Sequence, residues 1–213
     1  MRKNTLSLSA LFLCLAGSAS ADAIIYDVTI NTSSIAGTEG SLDFNFNPGP
    51  LLTQDASLQI LMFTSDGTLA GGPTLTGDVS GVLPETLTFD NLMAFNDYFG
   101  GFTYGSTISF DVSLFGPALS APNGTATSGS TFAFSMFSDP AGTMPVLTSD
   151  TTDGFAFTIG VDLDGTTTVN NYSSETTIQA AGAATPEPSG LLLVGTVFLF
   201  AVARQCARRT ARR

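Results

Sequence analysis

Apolar and polar residues alternate along most of the chain between residues 22 and 183. The clearest run is 155–163, in which every second residue is Phe, Ile, Val or Leu. The same period of two recurs in 24–30, 42–47, 108–114 and 132–136. A period of two over five or more residues is typical of a strand that buries one face. These segments therefore predict a domain built of strands.

Three further segments complete the predicted strands, and one predicts a helix. Residues 57–63 are more uniformly apolar and predict an interior strand, whereas 169–172 and 176–178 are weaker candidates. In 89–95 the apolar residues roughly fit one face of a short helix. The runs are separated by turn motifs, namely Asn47-Pro48-Gly49-Pro50, Asp66-Gly67, Gly71-Gly72-Pro73, Asn123-Gly124, Asp139-Pro140, Asp153-Gly154 and Asp164-Gly165.

Many short strands with little helical pattern between them predict an all-β domain over residues 22–179. The expected fold is an antiparallel two-sheet sandwich, similar to a jelly roll. Residues 180–185 are small and predict a linker after the domain. The chain of 213 residues is long enough for one such domain with a real core.

The first 21 residues predict a signal peptide. Arg2 and Lys3 precede an apolar stretch, which is followed by small residues. Ala19 and Ala21 fit the small-x-small preference of signal peptidase, so we expect the mature chain to begin near Asp22. The flanking apolar stretch would form a signal helix that is removed on export.

The last 28 residues predict a second sorting segment with three parts. Pro186-Glu187-Pro188-Ser189 is followed by an apolar stretch, about 190–203, and then by a tail rich in arginine. The apolar stretch is shorter than the about 17–25 residues of most membrane-spanning helices, so it predicts a short, marginal span. Arg204, Arg208 and Arg209 should act as a cytoplasmic stop, which places residues 22–188 outside the membrane.

This C-terminal order resembles the PEP-CTERM sorting signal of exported proteins in Gram-negative bacteria. The resemblance covers 186–213 and implies that Pro186, Glu187 and Pro188 are recognised by exosortase, a membrane-embedded processing enzyme. It also implies an intermediate anchored in the inner membrane, followed by a location at the cell surface or outside the cell. Such species typically make exopolysaccharide, which becomes an expected partner. The plainer alternative is a permanent C-terminal anchor.

The distribution of charge agrees with two terminal signals and excludes several functions. All seven Lys and Arg residues lie in 2–3 and 204–213, whereas all 18 acidic residues lie between them. Nucleic-acid binding needs cations to neutralise phosphates, and the body has none. Without His, the chain forms no Ser-His-Asp triad or His metal cluster. Both cysteines, Cys14 and Cys206, lie in the terminal segments, so the body must be stable without disulfides.

We weigh three functions for the acidic body. The first is a non-enzymatic structural or interaction protein of the extracellular matrix. The second is a calcium- or carbohydrate-binding module, and the third is a carboxylate-dependent glycoside hydrolase, for which no acidic pair stands out. No cofactor other than calcium is expected.

The calcium hypothesis rests on acidic residues beside turns. Asp150 and Asp153 precede Gly154, and Asp162 and Asp164 precede Gly165. Carboxylates without counter-charges suit a hard cation, and Asp162 and Asp164 should share a strand face. The alternative is that all four simply face solvent beside their turns.

The carbohydrate hypothesis requires an exposed aromatic platform. The chain has no Trp and four tyrosines, Tyr26, Tyr98, Tyr104 and Tyr172. Residues 95–104 hold the densest aromatic cluster and are the best candidate surface. The alternative is that this cluster packs in the core around a Gly-Gly turn.

Overall fold

The computed structural model describes residues 23–181, and both terminal signals with their expected helices lie outside this range. The described chain is all-β, with two antiparallel sheets and about 4% helix. Thirteen strands are present, β1 Ile24–Asn31, β2 Glu39–Pro48, β3 Ser57–Ser65, β4 Thr68–Leu69, β5 Thr74–Thr76, β6 Val79–Ser80, β7 Leu87–Asp90, β8 Asp97–Thr103, β9 Thr107–Phe115, β10 Ser130–Phe137, β11 Phe155–Val161, β12 Thr167–Asn171 and β13 Thr176–Ala180. A 3-10 turn spans Ser33–Ile35, and the helix α1 spans Pro117–Ser120.

The strands form one six-stranded and one seven-stranded sheet. The first has the order β13-β1-β9-β3-β7-β6, and the second has the order β12-β11-β10-β2-β8-β4, with β5 also paired to β8. The predicted interior strand 57–63 is confirmed as β3, which lies between β9 and β7. The weaker candidates are present as β12 and β13, and β13 reaches Ala180, the first residue of the predicted linker.

Aromatic side chains from both sheets meet in a common core. Phe110 on β9 has its ring centre 5.3 Å from those of Phe44 on β2 and Phe134 on β10. It also stacks at 6.4 Å on Phe157 of β11. These are the inward positions of the alternating runs, so the period-two pattern identified the buried face correctly.

The predicted helix at 89–95 is wrong. Phe89 is a buried residue of β7, and the chain then turns through 91–96 into β8. The apolar residues that suggested a helical face, Leu92, Met93 and Phe95, are instead exposed to solvent. The turn is fixed by Asn96, whose side-chain amide donates to the carbonyl oxygens of Phe46 and Met93, 2.9 Å each. Side-chain hydrogen bonds to the backbone compete with helix formation in this way.

The loops fall at two opposite ends of the domain. Ile24 pairs with Leu114 and Ser57 with Asp90, while Pro48 pairs with Ser130, which pairs with Val161. The first residue of β1 and the last of β13 therefore lie at the end that carries loops 49–56, 91–96, 116–129 and 162–166. We call this the terminal end. Loops 32–38, 104–106, 138–154 and 172–175 form the distal end.

No helix within residues 23–181 has the length and apolar character needed to cross a membrane.

Candidate functional site

A surface depression of about 370 Å³ lies at the distal end. It is formed by the turn between β12 and β13 and by residues 147–149 of loop 138–154, which leads to β11. Five of the seven residues that line it carry a hydroxyl group, and the full lining is Leu147, Thr148, Ser149, Tyr172, Ser173, Ser174 and Glu175. Its volume lies within the range of about 300–1,000 Å³ that is usual for small-ligand sites.

Hydrogen bonds to the backbone fix Tyr172 in this depression. Its amide donates to the Ala156 carbonyl at 2.9 Å, and its own carbonyl accepts from the Ser149 amide at 2.8 Å and the Ser149 hydroxyl at 2.7 Å. Ser173 Oγ accepts from the Glu175 amide at 3.3 Å, which closes the neighbouring turn. The two segments that line the depression are therefore joined directly, and their shape is preformed.

Leu147, which also lines the depression, has a strained backbone conformation. Its φ of +54° lies in the left-handed region, which a branched side chain rarely adopts. The half-buried side chain packs against the core, and this packing holds the backbone in place. Strained residues often occur where a surface must present groups in a fixed geometry.

Tyr172 gives the depression an aromatic surface. Its exposed fraction is 36%, whereas Tyr26, Tyr98 and Tyr104 are buried. An aromatic ring with a polar tip offers an apolar face for stacking and a hydroxyl for hydrogen bonding. With Ser, Thr and one carboxylate nearby, the arrangement suits a ligand that has both an apolar face and many hydroxyls, such as a sugar ring.

The aromatic segment that the sequence favoured, 95–104, is mostly core. Tyr98, Phe102 and Tyr104 are each 2% exposed. The Tyr104 hydroxyl lies 2.8 Å from the Ser41 carbonyl, and burial raises the pKa of this phenol. Gly100 and Gly101 lie inside β8 and form no turn. Phe95 alone is more than half exposed, and it lies at the terminal end.

The four predicted calcium ligands do not come together. Asp150 and Asp153 precede β11, whereas Asp162 and Asp164 follow it. The seven residues of β11 separate the two pairs by about 20 Å, at about 3.3 Å per residue. Asp162 and Asp164 also lie in the β11–β12 turn, so the expectation that they share a strand face is wrong.

Three of these carboxylates accept hydrogen bonds from residues that lie close to them in the chain. Hydrogen bonds from backbone amides, that of Thr152 foremost, hold the pKa of Asp150 below its ordinary value. The Thr166 hydroxyl and amide do the same for the pKa of Asp164. Asp162 Oδ2 accepts from the Thr168 hydroxyl at 2.7 Å. Within residues 23–181, no group of three or more Asp, Glu, His or Cys side chains is arranged to hold a metal ion.

Sequence reasoning missed a pair of neighbouring carboxylates on the seven-stranded sheet, of which one is buried and one half-buried. Asp43 on β2 and Asp97 on β8 face away from the aromatic core, and Asp97 is only 8% exposed. Burial, together with the hydrogen bond and negative charge of Asp43, raises the pKa of Asp97 to about 8. Alternation shows that Asp43 faces outward, but only the pairing of Asn45 with Asp97 brings the two carboxylates together.

The predicted processing residues lie outside the described range. They are Ala19 and Ala21 for signal cleavage, Pro186, Glu187 and Pro188 for sorting, and Arg204, Arg208 and Arg209 for the cytoplasmic stop.

Comparison of the chain with protein-family models, with curated proteins and with solved structures found no match.

Proposed function

We propose that the chain is an exported, non-enzymatic protein of the cell surface or extracellular matrix, sorted through its PEP-CTERM-like tail and associated with exopolysaccharide. Its two sheets form a sandwich of the jelly-roll type. The observation that carries the proposal is the separation of charge. Residues 23–181 contain 16 of the 18 acids and none of the seven Lys and Arg residues, which all lie in the two predicted signals.

The strand order supports this architecture. β1 and β13 are neighbours, and Tyr26 pairs with Ala180. The chain therefore enters and leaves the domain at the same end. Asp22 and Ala23 alone separate the predicted signal-peptidase site from β1, and four residues lie between Ala181 and Pro186. Both proposed processing steps would thus act close to one end of the domain, as expected when each occurs at a membrane.

Replacing Glu187 with Ala tests the sorting role. We expect E187A to keep its C-terminal segment and to remain in the membrane fraction, as measured by intact mass and fractionation from the native cell. Glu39→Ala, a change of the same kind in β2, is the matched control and should be processed normally. A normal mature mass for E187A would refute the sorting role of the motif.

A second candidate function is carbohydrate binding in the distal depression, favoured by the exposed ring of Tyr172. Y172A should weaken retention of the domain on purified exopolysaccharide or a glycan array by about tenfold, which is about 1.4 kcal/mol and typical of one aromatic stacking contact. Phe95→Ala removes an exposed ring at the terminal end and should leave retention unchanged. If F95A abolishes retention and Y172A does not, the site lies in 95–104 instead.

A further inference from the structure

The terminal end carries a patch of exposed apolar side chains on two loops. Leu51 and Leu52 in loop 49–56 are 66% and 62% exposed, and Leu92, Met93 and Phe95 in loop 91–96 are 63%, 54% and 52% exposed. We call these five residues the apolar loop patch. Isolated apolar residues are common on protein surfaces, but several on adjoining loops indicate a contact with another apolar surface.

Asn91 joins the two loops. Its side-chain amide nitrogen donates to the Gln54 carbonyl at 2.9 Å, and its amide oxygen accepts from the Ala56 amide at 2.9 Å. Asn96 anchors the other side of loop 91–96, since its backbone amide donates a hydrogen bond to Asn47 Oδ1 at 2.7 Å. The patch is therefore presented by loops that are fixed to the sheets and to each other.

The position of the chain ends indicates what covers this patch. The Ala181 amide donates to the Ile25 carbonyl at 2.8 Å, so the chain leaves the domain at the terminal end. Eight residues lie between Ala181 and Gly190, where the predicted membrane segment begins. The nine residue-to-residue steps from Ala181 to Gly190 span at most about 30 Å in an extended chain, so a membrane-inserted tail keeps the terminal end close to the bilayer.

We infer that the apolar loop patch rests on the lipid bilayer while the tail anchors the chain, with the distal depression directed away from the membrane. This inference rests on the proposed membrane-anchored intermediate. Leu, Met and Phe side chains enter the boundary between headgroups and acyl chains favourably, in proportion to their buried apolar area. The contact would hold the PEP motif at the membrane surface, where its processing enzyme is embedded.

The negative charge at the terminal end indicates which type of lipid the patch would contact. Asp55 and Asp90 border the two loops, and Asp162 and Asp164 lie in the neighbouring β11–β12 turn. No Lys or Arg occurs in residues 23–181 to offset them. Anionic headgroups would repel these carboxylates, so the expected surface is rich in zwitterionic lipid.

Two methionines provide a matched test. Met93 is 54% exposed at the terminal end, and Met144 is 60% exposed at the distal end. In the chain that begins at Asp22, with Cys206→Ser, M93C and M144C are labelled separately with a fluorophore. Each protein is then reconstituted into phosphatidylcholine vesicles that contain nitroxide-labelled phosphatidylcholine. We expect loss of fluorescence at position 93 and none at position 144.

Sedimentation of the same vesicles distinguishes anchoring of the chain by its tail from contact of the apolar loop patch with the bilayer. If the chain sediments with the vesicles but position 93 keeps its fluorescence, the inference fails and tail anchoring stands. If the chain does not sediment, both fail. Loss of fluorescence at both positions would show that the domain lies on its side, which also overturns the inference.

A second variant tests the patch itself. Leu51→Asn with Leu52→Asn should reduce the loss of fluorescence at position 93, because two apolar side chains leave the contact. Leu163 is an exposed leucine in the β11–β12 turn, outside the patch. Leu163→Asn should therefore change the loss of fluorescence at position 93 less. Concentration-dependent self-quenching of the position 93 label in detergent without vesicles would instead indicate an interface between copies of the chain, and would overturn the assignment to lipid.

Discussion

At the scale of single residues, the least expected feature is Asp97. Its carboxylate is buried beside that of Asp43, and its Oδ1 atom has no hydrogen-bond partner among the described residues. Removing a carboxylate from water and placing it next to another both disfavour its charged form. The folded domain therefore holds a proton on this pair at pH values at which an unfolded Asp is ionised, and this proton links stability to pH.

We predict that the free energy of unfolding falls as the pH rises from about 5 to about 8 and then levels off. The unfolded chain loses the Asp97 proton near pH 4, whereas the folded domain keeps it until its pKa of about 8. Over this interval the folded state binds more protons, so increasing pH disfavours it. Urea unfolding at several pH values, in EDTA to exclude divalent cations, measures the effect.

Asp97→Asn should remove most of the dependence of the free energy of unfolding on pH. The neutral amide also donates a hydrogen bond that the ionised carboxylate lacks. At pH 9 the variant should be more stable than the native chain by about 1–3 kcal/mol, the usual cost of an unsatisfied buried polar group. Asp55→Asn, a change at an exposed acid, should leave the dependence of the free energy of unfolding on pH unchanged. A native profile that is flat between pH 5 and 8 would contradict the raised pKa.

At the scale of secondary-structure elements, β3 shows how an apolar run can fit a half-exposed strand. Leu61 pairs with Asp111 and Thr64 with Ser109, so Met62 and Phe63 together oppose Phe110. This bulge turns Met62 outward, 77% exposed, and returns Phe63 to the core, where its ring stacks on Phe110 at 6.3 Å. The bulge therefore accounts for the apolar residue that breaks the alternation.

Met62→Gly should stabilise the domain by about 1 kcal/mol. Met62 has a φ of +52°, a left-handed conformation that costs an L-residue about 1–2 kcal/mol and costs glycine almost nothing. Part of this gain is offset because glycine has more freedom in the unfolded chain. Thermal or urea unfolding measures the change. Leu61→Gly, one residue earlier on the same strand, should destabilise; equal effects of the two changes would show that the bulge is not strained.

The strands were predictable because burial of one face imposes a period of two, which a single sequence displays. The pairing of these strands could not be predicted, since it depends on contacts between residues that are distant in the sequence. The misassigned helix at 89–95 illustrates the limit, because Asn96 bonds to Phe46, 50 positions away. The distal depression was missed for the same reason. In the sequence Tyr172 is an isolated tyrosine, whereas the densest group of aromatic residues is 95–104, most of whose rings are buried in the core.

At the scale of the whole molecule, the domain has two different ends and one sign of charge. The terminal end joins both predicted signals and exposes the apolar loop patch. The distal end carries the hydroxyl-lined depression with Tyr172. Between them, Asp27 faces Asp111 directly across β1 and β9, and burial together with the charge of Asp27 raises the pKa of Asp111. Like charges placed opposite each other in this way oppose folding.

The 16 acids of residues 23–181 have no Lys, Arg or His in that range to balance them, so repulsion among them should make stability depend on salt. The distance over which charges interact falls from about 30 Å at about 0.01 M salt to about 3 Å at about 1 M. The melting temperature should therefore rise with sodium chloride at pH 8. At pH 3 most carboxylates are protonated, and the same salt series should have much less effect. An equal rise at both pH values would mean that salt acts through apolar burial, and not through the repulsion that the charge distribution predicts.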